Sequence, residues 1–183
     1  MKRGRGDSLT GGTGDVSPQT FTQSITLSAA NTYTQAETGL PMIRLPVKNN
    51  RSIVMELLRL RVLHPLYDTN PAAGGTNAFS VFQLSTVSEV AANPGDARVI
   101  AYSQYQWRGA FTAAGTFETV TNNTDDIDLT DGAGHGILVA TDSLFFGAVT
   151  ANFTAPGVFV LKATYRFKEV SLQEYIGIVQ SQQ

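Results

Sequence analysis

The sequence contains no cysteine, which excludes disulfides, thiolate metal sites and cysteine nucleophiles and leaves packing alone to hold the fold. It has two histidines, His64 and His135, too few for a metalloenzyme centre that gathers several imidazoles and a carboxylate on one ion. There is no Gly-x-Ser-x-Gly elbow, and the glycine-rich stretches at 11–14 and 132–136 lack the Lys-Ser/Thr ending of a phosphate loop. These absences point away from an enzyme, and no cofactor is expected. No apolar run approaches the roughly 18 residues that a membrane span needs. Met-Lys-Arg-Gly-Arg-Gly-Asp is followed by Gly, Thr and Ser where a signal peptide would carry its apolar core. The expectation is a soluble chain with no membrane partner and no mark for secretion. Lys and Arg do not exceed Asp and Glu, the net charge being -2, and a dedicated nucleic-acid-binding protein usually carries a large positive excess.

What is present is β-pattern. At 183 residues the chain fits one domain, whose folding would remove roughly 70% of the unfolded surface from water. The stretch 157–179 organises the rest. Leu161, Ala163, Tyr165 and Phe167 alternate with Lys162, Thr164, Arg166 and Lys168, so one face is apolar and the other basic. This spacing predicts a central antiparallel strand with a continuation to Val179. Arg51 to Leu63 reads as a second long strand, with Val54, Glu56, Leu58, Leu60 and Val62 on one face and Ile53, Met55, Leu57, Arg59, Arg61 and Leu63 on the other. A helix competes there because Met, Glu, Leu and Arg are good helix formers; strand is preferred because the neighbouring segments are β. Further strands are expected at 19–26, 78–87, 97–107, 116–121, 137–140 and 143–150, and 40–47 reads as an edge or extended connection because of Pro41 and Pro46. With no convincing amphipathic helix, the pattern is that of an all-β sandwich or barrel.

Residues 1–18, rich in Gly and Ser/Thr, read as a flexible arm carrying Lys2, Arg3 and Arg5. Basic residues crowd 44–61, with Glu56 the one acid there, and acidic residues crowd 118–131; opposite ends or faces of the domain would then carry opposite potential. Arg59 and Arg61 share parity on one strand, and Lys162, Arg166 and Lys168 on another, so each set forms a row suited to phosphate contact. An ordinary solvated sheet face is the bland reading of the same rows. Asp126, Asp128 and Asp131 have the close spacing of a cation loop but miss the Gly and closing Glu of an EF-hand, so a solvated acidic loop over 122–136 is the preferred reading. His64 and His135 both fall in predicted loops.

Eight-odd strands behind a short Gly-rich basic arm resemble a single jelly-roll capsid protein of small icosahedral viruses. The run Asp131-Gly-Ala-Gly-His-Gly-Ile-Leu-Val-Ala-Thr-Asp142, with Tyr165 to Gln182, looks like capsid proteins of circular, replication-protein-encoding single-stranded DNA viruses. The resemblance implies a single eight-stranded antiparallel jelly-roll sandwich at 19–183 behind the arm at 1–18. It also implies a homo-oligomeric shell of about sixty copies, assembled inside a host cell into a virion around a single-stranded genome, DNA favoured, with a host receptor that the residues do not name. The loops 64–77, 88–96, 108–115 and 122–136 would then make shell contacts. The family's long Arg-rich arm is not matched. About sixty copies of this arm would bring roughly 180 cations, far fewer than the phosphates of even a small genome, so the strand faces at Arg59, Arg61, Lys162, Arg166 and Lys168 are expected to share the neutralisation. The competing expectation is a trimeric jelly-roll ligand or carbohydrate-binding module, for which Tyr102, Tyr105 and Trp107 would supply part of an aromatic platform.

Overall fold

The computed structural model describes residues 17–39, 51–65, 77–108, 124–153 and 155–182. The arm with Lys2, Arg3 and Arg5, the segment 40–47 and the expected strand at 116–121 lie outside the described residues. In chain order the elements are β1 (Gln19–Thr26), β2 (Thr34–Gly39), β3 (Arg51–Leu63), β4 (Asn77–Ser85), β5 (Val99–Arg108), β6 (Thr124–Asp128), β7 (Ile137–Val139), β8 (Ser143–Ala151), β9 (Val158–Ser171) and α1 (Leu172–Ser181). One sheet has the order β1-β9-β3-β6 with β7 also on β3, and the other the order β2-β8-β4-β5. Every pairing is antiparallel. Strands β6 and β7 lie along successive parts of β3, β6 on Arg59–Leu63 and β7 on Met55–Leu57. They act as two halves of one strand, and the chain is an eight-stranded jelly roll.

The sandwich closes because alternate residues of both sheets are apolar. From the first sheet Met55, Leu57, Leu60 and Val62 of β3 and Phe159, Leu161, Ala163 and Tyr165 of β9 point inward. They meet Phe82 and Leu84 of β4 and Leu144, Phe146 and Ala148 of β8. Phe82 and Phe146 stack edge to face with centroids 5.0 Å apart. Each such side chain taken from water stabilises the fold by roughly 1.5–3 kcal/mol, and the two rings add about 1 kcal/mol through their geometry.

Strand β3 does not keep one parity along its length, as simple alternation predicted. Its pairing with β9 slips between Leu57 and Arg59, leaving Leu58 as the extra residue of a β-bulge. Before the bulge the odd residues Met55 and Leu57 are buried in the core; after it the even residues Leu60 and Val62 are. The expected division of β3 into two faces is thereby corrected. Glu56 lies on the same outward face as Arg59 and Arg61. The bulge also marks where the partner strand divides: Leu129 N–H donates to the Leu58 carbonyl at 3.0 Å, and 129–136 loops out between β6 and β7.

Two further expectations are corrected, and one strand was not expected. The acidic stretch is not one loop, since Thr124–Asp128 is strand β6. Strand β2, Thr34–Gly39, was hidden in a polar sequence without alternating apolar residues; pairing with β8 makes it a strand. The strand through 157–179 ends at Ser171, and Leu172–Ser181 is helical. Ser171 accepts a hydrogen bond from Glu174 N–H at 3.2 Å, an N-cap. Beyond it Tyr175, Ile178 and Val179 recur at helical spacing and pack on Val54, Leu138, Ala140 and Val170. Gln182 completes the anchoring: its side-chain amide donates to the Leu138 carbonyl at 2.6 Å and accepts from Ala140 N–H at 3.0 Å, covering the edge of β7. Ser171→Ala should lower unfolding stability by about 1 kcal/mol, read as an earlier denaturant midpoint with an unchanged slope and a small loss of helical ellipticity.

Candidate nucleic-acid interface

The expected strand cations, Arg59, Arg61, Lys162, Arg166 and Lys168, share the face of the first sheet that points away from the core. Cross-strand register arranges them in rows. Thr22, Lys162, Arg61 and Asp126 form one row across β1, β9, β3 and β6, and Thr20, Thr164, Arg59 and Asp128 form the next. Arg166 and Lys168 continue along β9, opposite Glu56 and Val54. Beyond them α1 covers the apolar end of this face. At the other end Val158 and Leu63 are exposed, with Val160 paired to Leu63.

The cations differ in what they touch. Arg59 donates to both Asp126 carboxylate oxygens at 2.5 Å, and Arg61 donates to Oδ2 at 2.9 Å. These bonds hold the Asp126 carboxyl below the usual carboxylate range. Where both stretches are described, the basic residues of β3 and the acidic residues of β6 are therefore on neighbouring strands; the expectation that they occupy opposite ends or faces is corrected for these residues. Lys162 is exposed and makes no ion pair among the described residues.

Arg166 has a different surrounding. Its Nε donates to Oε2 of Glu56, a side chain with no exposure, and its Nη2 donates to the Gly134 carbonyl at 2.9 Å. Glu56 Oε1 accepts from Gly136 N–H at 3.0 Å, with Lys168 Nζ 3.9 Å away. Burial pushes the Glu56 carboxyl up, but the Arg166 and Gly136 hydrogen bonds and the two positive charges outweigh it and hold the group below its ordinary range. Gly136 sits so close to β3 that an added Cβ would lie 2.0 Å from the Leu57 carbonyl oxygen. Glu56 and Arg166 thus fasten the 129–136 excursion onto the sheet. The sequence signal for Glu56 was its isolation among basic residues.

The three carboxylates considered for a cation separate in space. Asp126 serves Arg59 and Arg61. Asp128 accepts from Thr130 N–H at 2.9 Å and its hydroxyl at 2.8 Å. Asp131 accepts from Ala133 N–H at 2.9 Å and from His135 N–H at 3.0 Å, capping a turn in which Gly132 and Gly134 have positive φ. Among the described residues no group of three or more His, Asp or Glu side chains could hold a metal ion. His135 is a turn residue, as read from its flanking glycines. His64 lies in the connection after β3, as expected, and is fully buried between the sheets.

The fold has known counterparts. The VP1 protein of human polyomavirus 7, solved as a pentamer, superposes with a TM-score of 0.57 at 10% identity over 83% of this chain and 96% of that one. The unassembled VP1 pentamer of Merkel cell polyomavirus gives 0.53 at 10% identity over 86% and 97% of the two chains. VP1 of trichodysplasia spinulosa-associated polyomavirus, in complex with 3'-sialyllactose, gives 0.53 at 11% identity over 84% and 95%. The likeness is one of fold. These neighbours are polyomavirus VP1 capsid proteins with the jelly-roll fold; they do not support the narrower assignment to circular single-stranded DNA viruses. No family model and no curated protein matches the sequence. No helix among the described residues is long and apolar enough to cross a membrane.

Removing Arg166 strands a buried carboxylate, so Arg166→Ala should cost about 3–5 kcal/mol, whereas Arg59→Ala, at an exposed pair, should shift the unfolding midpoint far less. Gly136→Ala should cost about 1–3 kcal/mol by overpacking against β3. Paired denaturant titrations of the three variants measure this order.

Proposed function

We propose that this chain is a structural subunit of a viral capsid, self-assembling into a closed icosahedral shell in the host cell and found in the virion. The observation that carries the reading is the jelly roll itself, laid out as in the VP1 neighbours over more than four-fifths of the chain, 83% in the human polyomavirus 7 comparison. Shells of this class are closed by repeated contacts between identical copies, and pentamers, the form in which the human polyomavirus 7 and Merkel cell polyomavirus neighbours were solved, are one natural building unit. A shell of about sixty copies is the simplest icosahedral case.

The outward face of the first sheet is the surface we assign to the packaged nucleic acid. Lys162 stands between the hydroxyls of Thr22 and Thr164 and beside Arg61, a set that suits phosphate oxygens without reading bases. Arg59 and Arg61 share their charge with Asp126, and Arg166 is committed to Glu56. Lys162 and Lys168 are thus the cations freest to meet phosphate, joined in this proposal by Lys2, Arg3 and Arg5. A single-stranded DNA genome remains the favoured cargo of the proposal. Carbohydrate binding does not stand against a capsid role, since VP1 neighbours are themselves solved with sialylated oligosaccharides.

Electron microscopy and mass measurement of the purified full chain should show closed particles or pentamers that assemble into them; a species that stays monomeric at high concentration overturns the capsid reading. In particles of Lys162→Glu with Lys168→Gln, the nucleic acid recovered per subunit should fall by at least a third. Unchanged absorbance ratios would remove the assigned face while leaving the shell intact.

A further inference from the structure

His64 follows β3 and is fully buried, yet no step of shell building requires an imidazole there. Its Nε2 lies 2.9 Å from Ser103 Oγ on β5, and Ser103 Oγ donates to Asp125 Oδ2 on β6 at 2.6 Å. Its Nδ1 lies 2.7 Å from Ser80 Oγ on β4. The order of donors follows from the last acceptor. The Ser103 hydroxyl gives its proton to Asp125 Oδ2 and in turn accepts from His64 Nε2–H. Nδ1 is then the bare nitrogen, accepting from the Ser80 hydroxyl. The imidazole is neutral, held as one tautomer, and joins β3 and β6 of one sheet to β4 and β5 of the other.

Two aromatic rings also lie against the imidazole. Phe159 of β9 meets it edge-on with centroids 5.4 Å apart, and Tyr105 of β5 lies at 5.9 Å. Asp125 is a charged group felt at the ring, where it opposes the effect of burial, and a serine separates the two. A second proton would place a cation among these rings with no exposure to water, and one carboxylate at second hand offsets only part of that desolvation.

We propose that the Asp125–Ser103–His64–Ser80 chain is an acid-operated latch between the two sheets, and that proton uptake by the imidazole opens the end of the sandwich where β3, β4, β5 and β6 meet. The direction follows from linkage. Burial lowers the imidazole from 6.5 to about 4 in the closed state, whereas an opened, solvated ring titrates near its ordinary value. Between those values the open form binds more protons, so closure strengthens as pH rises through the window and weakens as pH falls. The opening equilibrium should grow by up to about tenfold per pH unit from about 6.5 down to about 4, the range of acidified cell compartments.

The test is hydrogen exchange of the purified full chain from pH 7.5 to 4.5, corrected for intrinsic rates. Protection in 78–81, 101–105 and 124–127 should fall about tenfold or more relative to β2 and its partner β8. In His64→Gln, an amide that can still donate and accept, that pH dependence should vanish, whereas exposed His135→Gln should behave as the parent. Parallel profiles in parent and His64→Gln, or a loss spread evenly over both sheets, overturn the latch. Should His64→Gln fail to fold, the proton NMR titration of His64 in the parent decides. A ring that titrates at 6.5 or above with the sandwich intact sinks the proposal, and a ring that stays neutral to below 5 sustains it.

Discussion

The pairing of β3 with β9 is the constraint on which the molecule depends. It is the longest ladder in the fold, running from Arg51↔Ser171 to Leu63↔Val160, and each strand gives one face to the core. All other strands of that sheet attach to one of these two, β1 to β9 and β6 and β7 to β3. A ladder this long must reconcile the twist of two strands with a fixed inward face, and the bulge at Leu58 is where the reconciliation occurs. Without the extra residue the parity of one half would set Glu56 or Arg61 toward the core.

Polar groups are placed according to how much water each site keeps. On the open face, Arg59, Arg61 and Asp126 form exposed pairs that organise charge more than they stabilise. Beneath the 129–136 excursion, Glu56 and Arg166 are shielded, so each becomes costly without the other. Between the sheets, His64 is tolerated because two serine hydroxyls and Asp125 satisfy both ring nitrogens without a net charge on the ring. The three settings give the same chemistry three roles: an exposed charged face, a clasp for a loop and a link between sheets.

A two-sheet sandwich leaves its outermost strands as edges that could pair with another chain. The frame here is a jelly roll whose β7 edge is covered by the Gln182 amide and whose β6 edge carries Asp125, Asp126 and Asp128. Both devices discourage uncontrolled strand addition. The helix α1 lies on the same face as the basic rows and confines them to a band between two apolar ends.

The alternation in 157–171 and the strong β-propensity of 19–26, 51–63 and 143–150 were enough to establish an all-β sandwich, because period-2 patterning survives wherever one face is buried. The outward direction of Lys162, Arg166 and Lys168 followed from the same alternation. Strand β2 was not legible, since its polar residues become a strand only by pairing with β8. Helix α1 was overlooked because Tyr175, Ile176, Ile178 and Val179 suit a strand as well as a helix; the Ser171 cap and the apolar patch of Val54 and Val170 select the helix. Local sequence therefore determined the layers and which cations face away from the core. Only tertiary structure decided which charges are spent on one another and which histidine is buried, because a one-residue bulge and a cross-sheet contact depend on partners far away in the chain.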